Sequence, residues 1–163
     1  MIDHDATSVR RSVEVDAAVD RAFEVFVHMT AWWPREHRVV AADLRDVVIE
    51  PSVGGRCYQI GVDGAECDWG RVQAWDPPRR LQIAWHLDRR FEFDPDPDRA
   101  SEVDVTFTPL GKDRTRVELE HRAFDRHGPD GDEIRISVGG SDGWGYILEC
   151  YGTGLPARAD EAP

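Results

Sequence analysis

The chain has 163 residues, with 32 acidic and 20 basic side chains and a formal net charge of −12. This length fits one domain with a substantial hydrophobic core. The acidic balance repels phosphate backbones and anionic lipid heads, which argues against a nucleic-acid or membrane-surface role. No apolar run is long enough to span a bilayer, and the first residues lack the apolar segment of a secretory signal. We therefore expect a cytoplasmic protein with no nucleic-acid partner and no membrane insertion.

Cysteine and histidine usage does not indicate a metal site. Cys57, Cys67 and Cys150 are an odd number without CxxC spacing. We interpret them as small buried side chains in a reducing compartment. No HExxH motif or Cys/His cluster has metal-ligand spacing, and no GxSxG nucleophile motif occurs. The sequence thus predicts no metal and no cofactor, and it leaves the catalytic residues unknown.

The N-terminal part predicts a strand followed by an amphipathic helix. Residues 1–8 are polar and are predicted to be flexible. Val9 to Val15 alternates between apolar and polar side chains, with Arg11 as a charged exception on the apolar side. Apolar residues at helical spacing then predict a helix over 17–28, with Asp16 as its N-cap.

The stretch from Asp46 to Trp85 predicts an antiparallel meander. Asp63-Gly64 is a hairpin signal, because tight hairpin turns need a positive φ that glycine adopts easily. Pro77 and Pro78 cannot donate to a strand ladder, so they belong to a connection. Before it, Pro34 should end any helical turn, and residues 35–45 are read as a loop or short helix. The predicted strands cover about 46–50, 56–61, 66–75 and 80–87.

The C-terminal part predicts a hairpin and a closing helix. Alternation over 102–109 and 115–122 gives the hairpin, a turn-rich loop covers 125–131, and 132–138 has helical character. Residues 143–152 carry apolar side chains at helical spacing, with Ser141 or Asp142 as possible caps. The glycines in this region disfavour a helix by about 1 kcal/mol each, so tertiary packing must hold it. Gly143 and Gly145 would allow a close approach to the sheet, and residues 156–163 are predicted to be a flexible tail.

The order strand, helix, loop, six strands and helix, together with six motifs, resembles the helix-grip superfamily, also called START-like or SRPBCC. More narrowly, the chain resembles its bacterial branch named after the heat-shock-protein ATPase activator homologue domain, which is related to polyketide cyclases. The motifs are VEVDAAVDRAFEVF at 13–26, WWP at 32–34, VVIEPSVGGRCY at 47–58, ECDWGRVQAWDPPRRLQIAW at 66–85, FTPLGKDRTRVELEH at 107–121 and GWGYILECY at 143–151.

The resemblance implies an α+β helix-grip fold in a single domain over 9–155. A seven-stranded curved antiparallel sheet would wrap around a long C-terminal helix, with short helices after the first strand. It also implies a cavity between the concave face and that helix, while the co-chaperone role of the eukaryotic namesake is not carried over. Alternation and the resemblance suggest eight ligand-binding candidates: Trp32, Trp33, Tyr58, Trp69, Trp85, His121, Trp144 and Tyr151.

Each candidate also has a purely structural explanation. A tryptophan on an apolar face is most often core, and His121 there is most often a hydrogen-bonded core histidine. The alternative for His121 is a polar contact or general base in the cavity. Arg56 is a surface charge unless it points inward, where it could hold a ligand carboxylate. Glu50, Glu66 and Asp68 are read as solvated, and a buried one would have a raised pKa.

Three functions remain open at this point. The leading one is a binding protein for a small hydrophobic or aromatic ligand. The second is a cyclase, dehydratase or hydrolase in the same cavity, which needs His121, Tyr58 or a buried carboxylate to converge on one point. The third is a partner-binding stress-related or regulatory module, which an exposed apolar patch would favour. The chain is expected to be a monomer or a homodimer.

Overall fold

We describe residues 7–161 from a computed structural model, with side chains as far as Leu155. Residues 1–6, 162 and 163 and the side chains of 156–161 lie outside this description. The predicted flexibility of 1–8 and 156–163 therefore remains a prediction. Within the described part of the chain, no helix is long and apolar enough to cross a membrane.

Seven antiparallel strands form one curved sheet in the order β1-β7-β6-β5-β4-β3-β2. This confirms the predicted fold class. Register shifts in four of the strand pairings add local bends, which help a long sheet to curl. The strands are β1 Val9–Val15, β2 Leu44–Ile49, β3 Arg56–Gly61, β4 Glu66–Asp76, β5 Arg80–Trp85, β6 Ser101–Gly111 and β7 Arg114–Arg122.

Three α-helices complete the fold: α1 Val19–Val27, α2 Gly131–Val138 and α3 Trp144–Glu161. Helix α3 contacts α1 and β1, so the sheet and α1 enclose it. Short 3₁₀ segments occur at Met29–Ala31, Pro97–Arg99 and Phe124–Asp130.

The structure corrects the predicted N-cap of the first helix and shows what the charged exception on β1 contacts. The N-cap of α1 is Ala18, which gives no side-chain hydrogen bond. Asp16 lies two residues before this N-cap. Its carboxylate instead accepts a hydrogen bond from the Arg114 guanidinium at 3.1 Å. Arg11, the charged exception on β1, donates to the carbonyl of Gly139 at 3.0 Å. That carbonyl lies at the C-terminal end of α2, where a cation is favoured.

Helix α3 begins next to a glycine, Gly143, that approaches another segment closely. That segment is the end of α2, whereas the sequence suggested the sheet. A Cβ at Gly143 would lie 2.0 Å from the Val138 carbonyl oxygen. Any side chain there would push α3 away from the end of α2. At Gly145 the nearest atoms to such a Cβ belong to Arg11, at an ordinary 3.6 Å. The close approach therefore serves the α2–α3 junction.

One end of the interior is filled by aromatic side chains. Phe26 lies 5.1 Å from Tyr151 and 5.5 Å from Phe107, centroid to centroid. Tyr151 is fully buried, and its hydroxyl donates to the carbonyl oxygen of Ala22 at 2.7 Å. Trp32 completes this end and donates its Nε1–H to the carbonyl of Val25 at 2.9 Å. We call Phe26, Trp32, Phe107 and Tyr151 the filled end.

Candidate functional site

A cavity of about 420 Å³ occupies the other end of the interior. Its walls come from β3, β4 and β5, from the loops after Met29–Ala31 and after β5, and from the α2–α3 junction. Backbone segments distant in sequence therefore meet here, which is the usual setting of a small-molecule site.

Four tryptophans form a closed ring in the wall of this cavity. Trp33 stacks on Trp69 with centroids 6.4 Å apart, and Trp69 lies 6.0 Å from Trp85. Trp85 contacts Trp144 at 5.7 Å, and Trp144 returns to Trp33 at 6.4 Å. Each indole therefore has two indole neighbours within this ring. We call this closed set of four tryptophans the indole ring, a name used below for the whole set and not for a single side chain.

A β-bulge gives Trp69 its place in the ring. Cys57 pairs with Gly70 and Tyr58 pairs with Asp68, so Trp69 is the extra residue on β4. Strict alternation would place Trp69 on the face opposite Val72. The bulge brings Trp69 to the buried side, where Gly70 and Val72 also lie. Gly70 leaves no room for a side chain, since a Cβ there would lie 2.6 Å from the Ala84 carbonyl oxygen.

Among the described residues, the N–H groups of two of the four tryptophans donate to an acceptor, and those of the other two do not. Trp33 Nε1 donates to the carbonyl of His37 at 2.8 Å. Trp144 Nε1 donates to His121 Nδ1 at 3.0 Å. The buried Nε1 atoms of Trp69 and Trp85 have no partner among the described residues. The ring thus combines two anchored indoles with two unpaired N–H donors.

Behind Trp144, a chain of buried hydrogen bonds fixes its orientation. Because an indole N–H only donates, His121 Nδ1 accepts, and the ring proton of neutral His121 is on Nε2. His121 Nε2 lies 2.8 Å from Ser101 Oγ, which lies 2.7 Å from His127 Nε2. The hydroxyl therefore accepts from His121 and forms a second hydrogen bond with His127. Trp144 thus heads a chain of three buried hydrogen bonds.

Burial keeps both histidines of this chain neutral. It lowers the pKa of His121 well below its usual value, and the nearby His127 lowers that pKa further. Burial also lowers the pKa of His127, with a further contribution from Arg99. A neutral His121 is required for Nδ1 to accept from Trp144. His121 is thus a positioning residue behind the cavity wall.

His37 places an imidazole at the cavity rim. Its Nε2 lies 2.6 Å from the carbonyl oxygen of Asp142. A carbonyl oxygen only accepts, so Nε2 carries the proton and Nδ1 of the neutral ring is free to accept one. The His37 carbonyl also accepts from Gln59 Nε2 at 3.1 Å, which together with Trp33 fixes the loop.

Charged side chains complete the rim. Glu36 accepts a hydrogen bond from the Tyr146 hydroxyl at 2.6 Å, and this bond lowers the pKa of the Glu36 carboxyl. Arg38 and Arg90 line the same cavity. Phe91 lies beside them with a positive φ of 59° and its side chain 41% exposed. The cavity is therefore apolar within and polar around its mouth.

The eight predicted site residues separate into two groups. Trp33, Trp69, Trp85 and Trp144 line the cavity. The other four do not. Trp32 and Tyr151 belong to the filled end, where helix packing buries them. His121 lies behind Trp144, which agrees with the core-histidine explanation and not with a cavity base.

Tyr58 requires a correction, because it lies on the outer face of the sheet. Its strand buries Cys57 and Gln59 on the opposite side. The Arg56 guanidinium lies over the Tyr58 ring at 4.1 Å and binds Asp68 with Nη2 at 2.7 Å. Hydrogen bonding to Arg56 lowers the pKa of Asp68, opposite to the rise expected of a buried acid. Arg56 is therefore a surface charge and does not reach the cavity.

Sequence reasoning missed His37 and Gln59 as cavity residues. Gln59 is only 3% exposed, and alternation with Cys57 on β3 was a signal for it. His37 lies in an irregular loop, which has no period to indicate a face. The cavity contact of His37 depends on the α2–α3 junction, about a hundred residues later.

Comparisons with known proteins agree with this architecture. The sequence model of the family described as "Activator of Hsp90 ATPase homolog 1-like protein" matches residues 16–149. Comparison with curated protein sequences gives no match. Among solved structures, an anthrahydroquino-γ-pyrone synthase, Txn09, complexed with SUM, is 41% identical with a TM-score of 0.64. That alignment covers 91% of this chain and 96% of Txn09.

Two further solved structures extend the comparison. CalC from Micromonospora echinospora, a self-sacrificing resistance protein, is 33% identical with a TM-score of 0.68. The alignment covers 93% of this chain and 96% of CalC. NE0264 from Nitrosomonas europaea is 15% identical with a TM-score of 0.65, covering 93% of this chain and 96% of that one, and it supports the fold alone.

The family match covers most of the chain, and two structures above 30% identity align along nearly its whole length. The strand order and the enclosed last helix are those expected of the helix-grip fold. The chain therefore belongs to the family of Activator of Hsp90 ATPase homolog 1-like proteins.

Proposed function

We propose that this protein binds a planar, polycyclic aromatic molecule of the polyketide type in the cavity, against the indole ring. The observation that carries the proposal is the ring itself: four indoles in contact with one another in the wall of a cavity of about 420 Å³. That volume lies within the range of about 300–1,000 Å³ typical of small-molecule sites.

Aromatic walls favour a flat ligand over a flexible one. Indole faces and edges offer stacked and edge-to-face contacts to a planar ring system, each worth about 0.5–1.5 kcal/mol beyond the buried area. A flexible chain gains less from such walls and loses more conformational entropy on binding. The relatedness to a γ-pyrone synthase at 41% identity supports the same ligand class. The charged groups at the mouth, including Arg38 and Arg90, suit polar substituents at the ligand edge.

Titration calorimetry with anthraquinone-2-sulfonate, and with palmitate as the flexible comparison, tests this function. We expect saturable binding of the anthraquinone and at least about tenfold weaker binding of palmitate. Absence of anthraquinone binding, or tighter palmitate binding, would refute the proposal.

Filling the cavity provides a matched pair of variants. Ile147 lines the cavity, whereas Ile136 on α2 is 65% exposed. We expect Ile147→Trp to abolish binding and Ile136→Trp to leave it unchanged. Circular dichroism checks that both variants fold, and Leu87→Phe offers a second, milder filling of the same cavity.

A second candidate function is ring closure of a bound polyketide, and His37 is the observation that favours it. A phenol oxygen that adds to a ketone carbon, followed by loss of water, closes a γ-pyrone without any oxidant. Nδ1 of His37 can accept the phenol proton because its Nε2–H is held by Asp142. Neither His121, Tyr58 nor Asp68 lies in the cavity wall to share this role.

The conversion of 1-(2-hydroxyphenyl)-3-phenylpropane-1,3-dione to flavone and water, followed by absorbance, tests ring closure. We expect the protein to accelerate this reaction over buffer. We also expect His37→Gln to remove most of the acceleration, by about 10²-fold or more, while the Kd for the probe changes little. A rate equal to that in buffer would leave ligand binding as the function.

A further inference from the structure

Two buried hydrogen-bond donors in the cavity wall have no acceptor in the part of the chain that the structure describes. Trp69 is 4% exposed and Trp85 is 6% exposed, and both line the cavity. Their Nε1 atoms lack a hydrogen-bond partner among the residues that the structure describes. By contrast, the Nε1 atoms of Trp32, Trp33 and Trp144 all donate to acceptors within 3.0 Å.

This contrast is unusual for a packed interior. Most buried polar atoms in folded proteins are hydrogen-bonded, and each unpaired donor destabilises the fold. Phenylalanine would supply aromatic surface at these positions without leaving a donor unpaired. Two such donors, on neighbouring indoles whose centroids are 6.0 Å apart, point to an acceptor that the protein does not itself provide.

An indole N–H donates one hydrogen bond and accepts none, so its complement must carry an acceptor lone pair. We propose that Trp69 and Trp85 donate to carbonyl oxygens on the edge of the aromatic ligand and thereby select quinone or pyrone ring systems over plain aromatic hydrocarbons. This proposal rests on the function proposed above and adds the chemistry that decides which aromatic ligand is preferred.

The site must adjust when such an oxygen enters. Neither Nε1 atom is open to solvent. Trp33 and Trp144 are each held by a hydrogen bond, whereas Trp69 and Trp85 are held by packing alone. A rotation of Trp69 or Trp85 towards a carbonyl oxygen would therefore break no hydrogen bond found among the described residues.

A matched probe pair tests the selection. Anthraquinone-2-sulfonate and anthracene-2-sulfonate share the ring skeleton and the charge, and differ in the two carbonyl groups. We expect calorimetry to give at least about tenfold tighter binding of the quinone, the effect of one to two hydrogen bonds to otherwise unpaired donors. Equal affinities would overturn the selection while leaving the aromatic site intact. Binding of neither probe would overturn both the site and the selection.

Variants locate the effect on the two N–H groups. We expect Trp69→Phe, Trp85→Phe and the double variant to reduce the quinone preference progressively towards one, because phenylalanine keeps the ring but not the donor. Trp144→Phe is the matched control: its N–H is already bound to His121, so its loss should weaken both probes alike and leave the ratio unchanged. An undiminished preference in the double variant, or a loss of preference only in Trp144→Phe, would refute the assignment. If the double variant fails to fold by circular dichroism, the single variants decide.

Discussion

The two ends of the interior use the same kinds of side chain to different effect. In the filled end, Phe26, Phe107, Trp32 and Tyr151 pack with centroids 5.1–5.5 Å apart. In the indole ring the corresponding distances are 5.7–6.4 Å, and a cavity of about 420 Å³ remains. Indole size alone does not explain this difference, since Trp32 contacts Tyr151 at 5.3 Å.

Polar pairing separates the two ends as well. In the filled end, the Tyr151 hydroxyl and the Trp32 N–H both reach backbone carbonyls. In the indole ring, the N–H groups of Trp69 and Trp85 reach no acceptor among the described residues. A closely packed, fully paired region maximises stability, whereas a looser region with unpaired donors retains binding capacity. The comparison indicates that the filled end contributes mainly to stability, and it supports our proposal that the indole ring belongs to a ligand-binding site.

Truncation at the two ends should have unequal costs, which is the largest effect we expect. Phe26→Ala should lower the free energy of unfolding by about 3–5 kcal/mol, because it empties a closely packed site. Leu87→Ala in the cavity wall should cost about 2 kcal/mol, near the lower limit for such changes, because the space beside it is already open. Urea unfolding measures both, and an equal or greater cost at Leu87 would contradict the comparison.

Stability should also fall on mild acidification, through the histidines behind Trp144. Burial lowers the pKa of His121 and of His127, so the unfolded chain binds protons more readily than the folded one. Stability is therefore full above pH of about 7 and declines as pH falls below about 6.5, by up to about 1.4 kcal/mol per pH unit for each histidine.

Urea unfolding between pH 7.5 and 5.5 measures this decline, in a window above the range where ordinary carboxylates titrate. His121→Gln should be less stable at pH 7.5 but show a shallower pH dependence than the unmodified chain. An unchanged slope in this variant would show that His121 is not a source of the decline.

The hydrogen bonding of the indole N–H groups predicts a smaller difference, in unfolding free energy, between two Trp→Phe substitutions in the indole ring. Trp144→Phe removes the donor to His121 and leaves a buried acceptor unpaired, whereas Trp85→Phe removes a donor that was already unpaired. We expect Trp144→Phe to cost about 1–2 kcal/mol more in unfolding free energy. Equal costs in thermal unfolding would mean that the Trp144–His121 hydrogen bond contributes little.

The smallest effect is expected outside both regions, at Tyr58. Tyr58→Ala removes the stacking of Arg56 on the outer face, so the loss of stability should stay below about 1 kcal/mol. The affinity for anthraquinone-2-sulfonate should not change, because Tyr58 does not line the cavity. A marked loss of affinity would place Tyr58 in the site after all.

Periodicity predicted most of the strands because one face of the sheet is buried and the other is not. It placed Trp85 on the same buried face as Leu81 and Ile83, and the register of β5 against β6 is unbroken up to that residue. Strict alternation does not account for the buried position of Trp69, because the bulge opposite Cys57 and Tyr58 shifts the alternation by one residue. A bulge depends on how two strands pair and has only a weak signal in one strand, here Gly70.

Helix patterns and loops show the same division. The spacing of Trp144 and Tyr151 correctly predicted that both lie on the buried face of α3. It could not show that Trp144 would line a cavity while Tyr151 would lie in the filled end. His37 lies in an irregular loop with no periodic pattern to analyse. Its contact with Asp142 joins two loops that are separated in sequence by six strands, β2 to β7.

The amino-acid sequence by itself determined the order of the elements, the buried face of most of them and the supply of tryptophans for an aromatic interior. These depend on periods of two and 3.6 residues, which are local properties. Tertiary structure alone decided which indoles meet, where space remains and which N–H groups lack an acceptor. Those features depend on distances between segments far apart in the chain, and a bulge or a single backbone carbonyl is enough to change them.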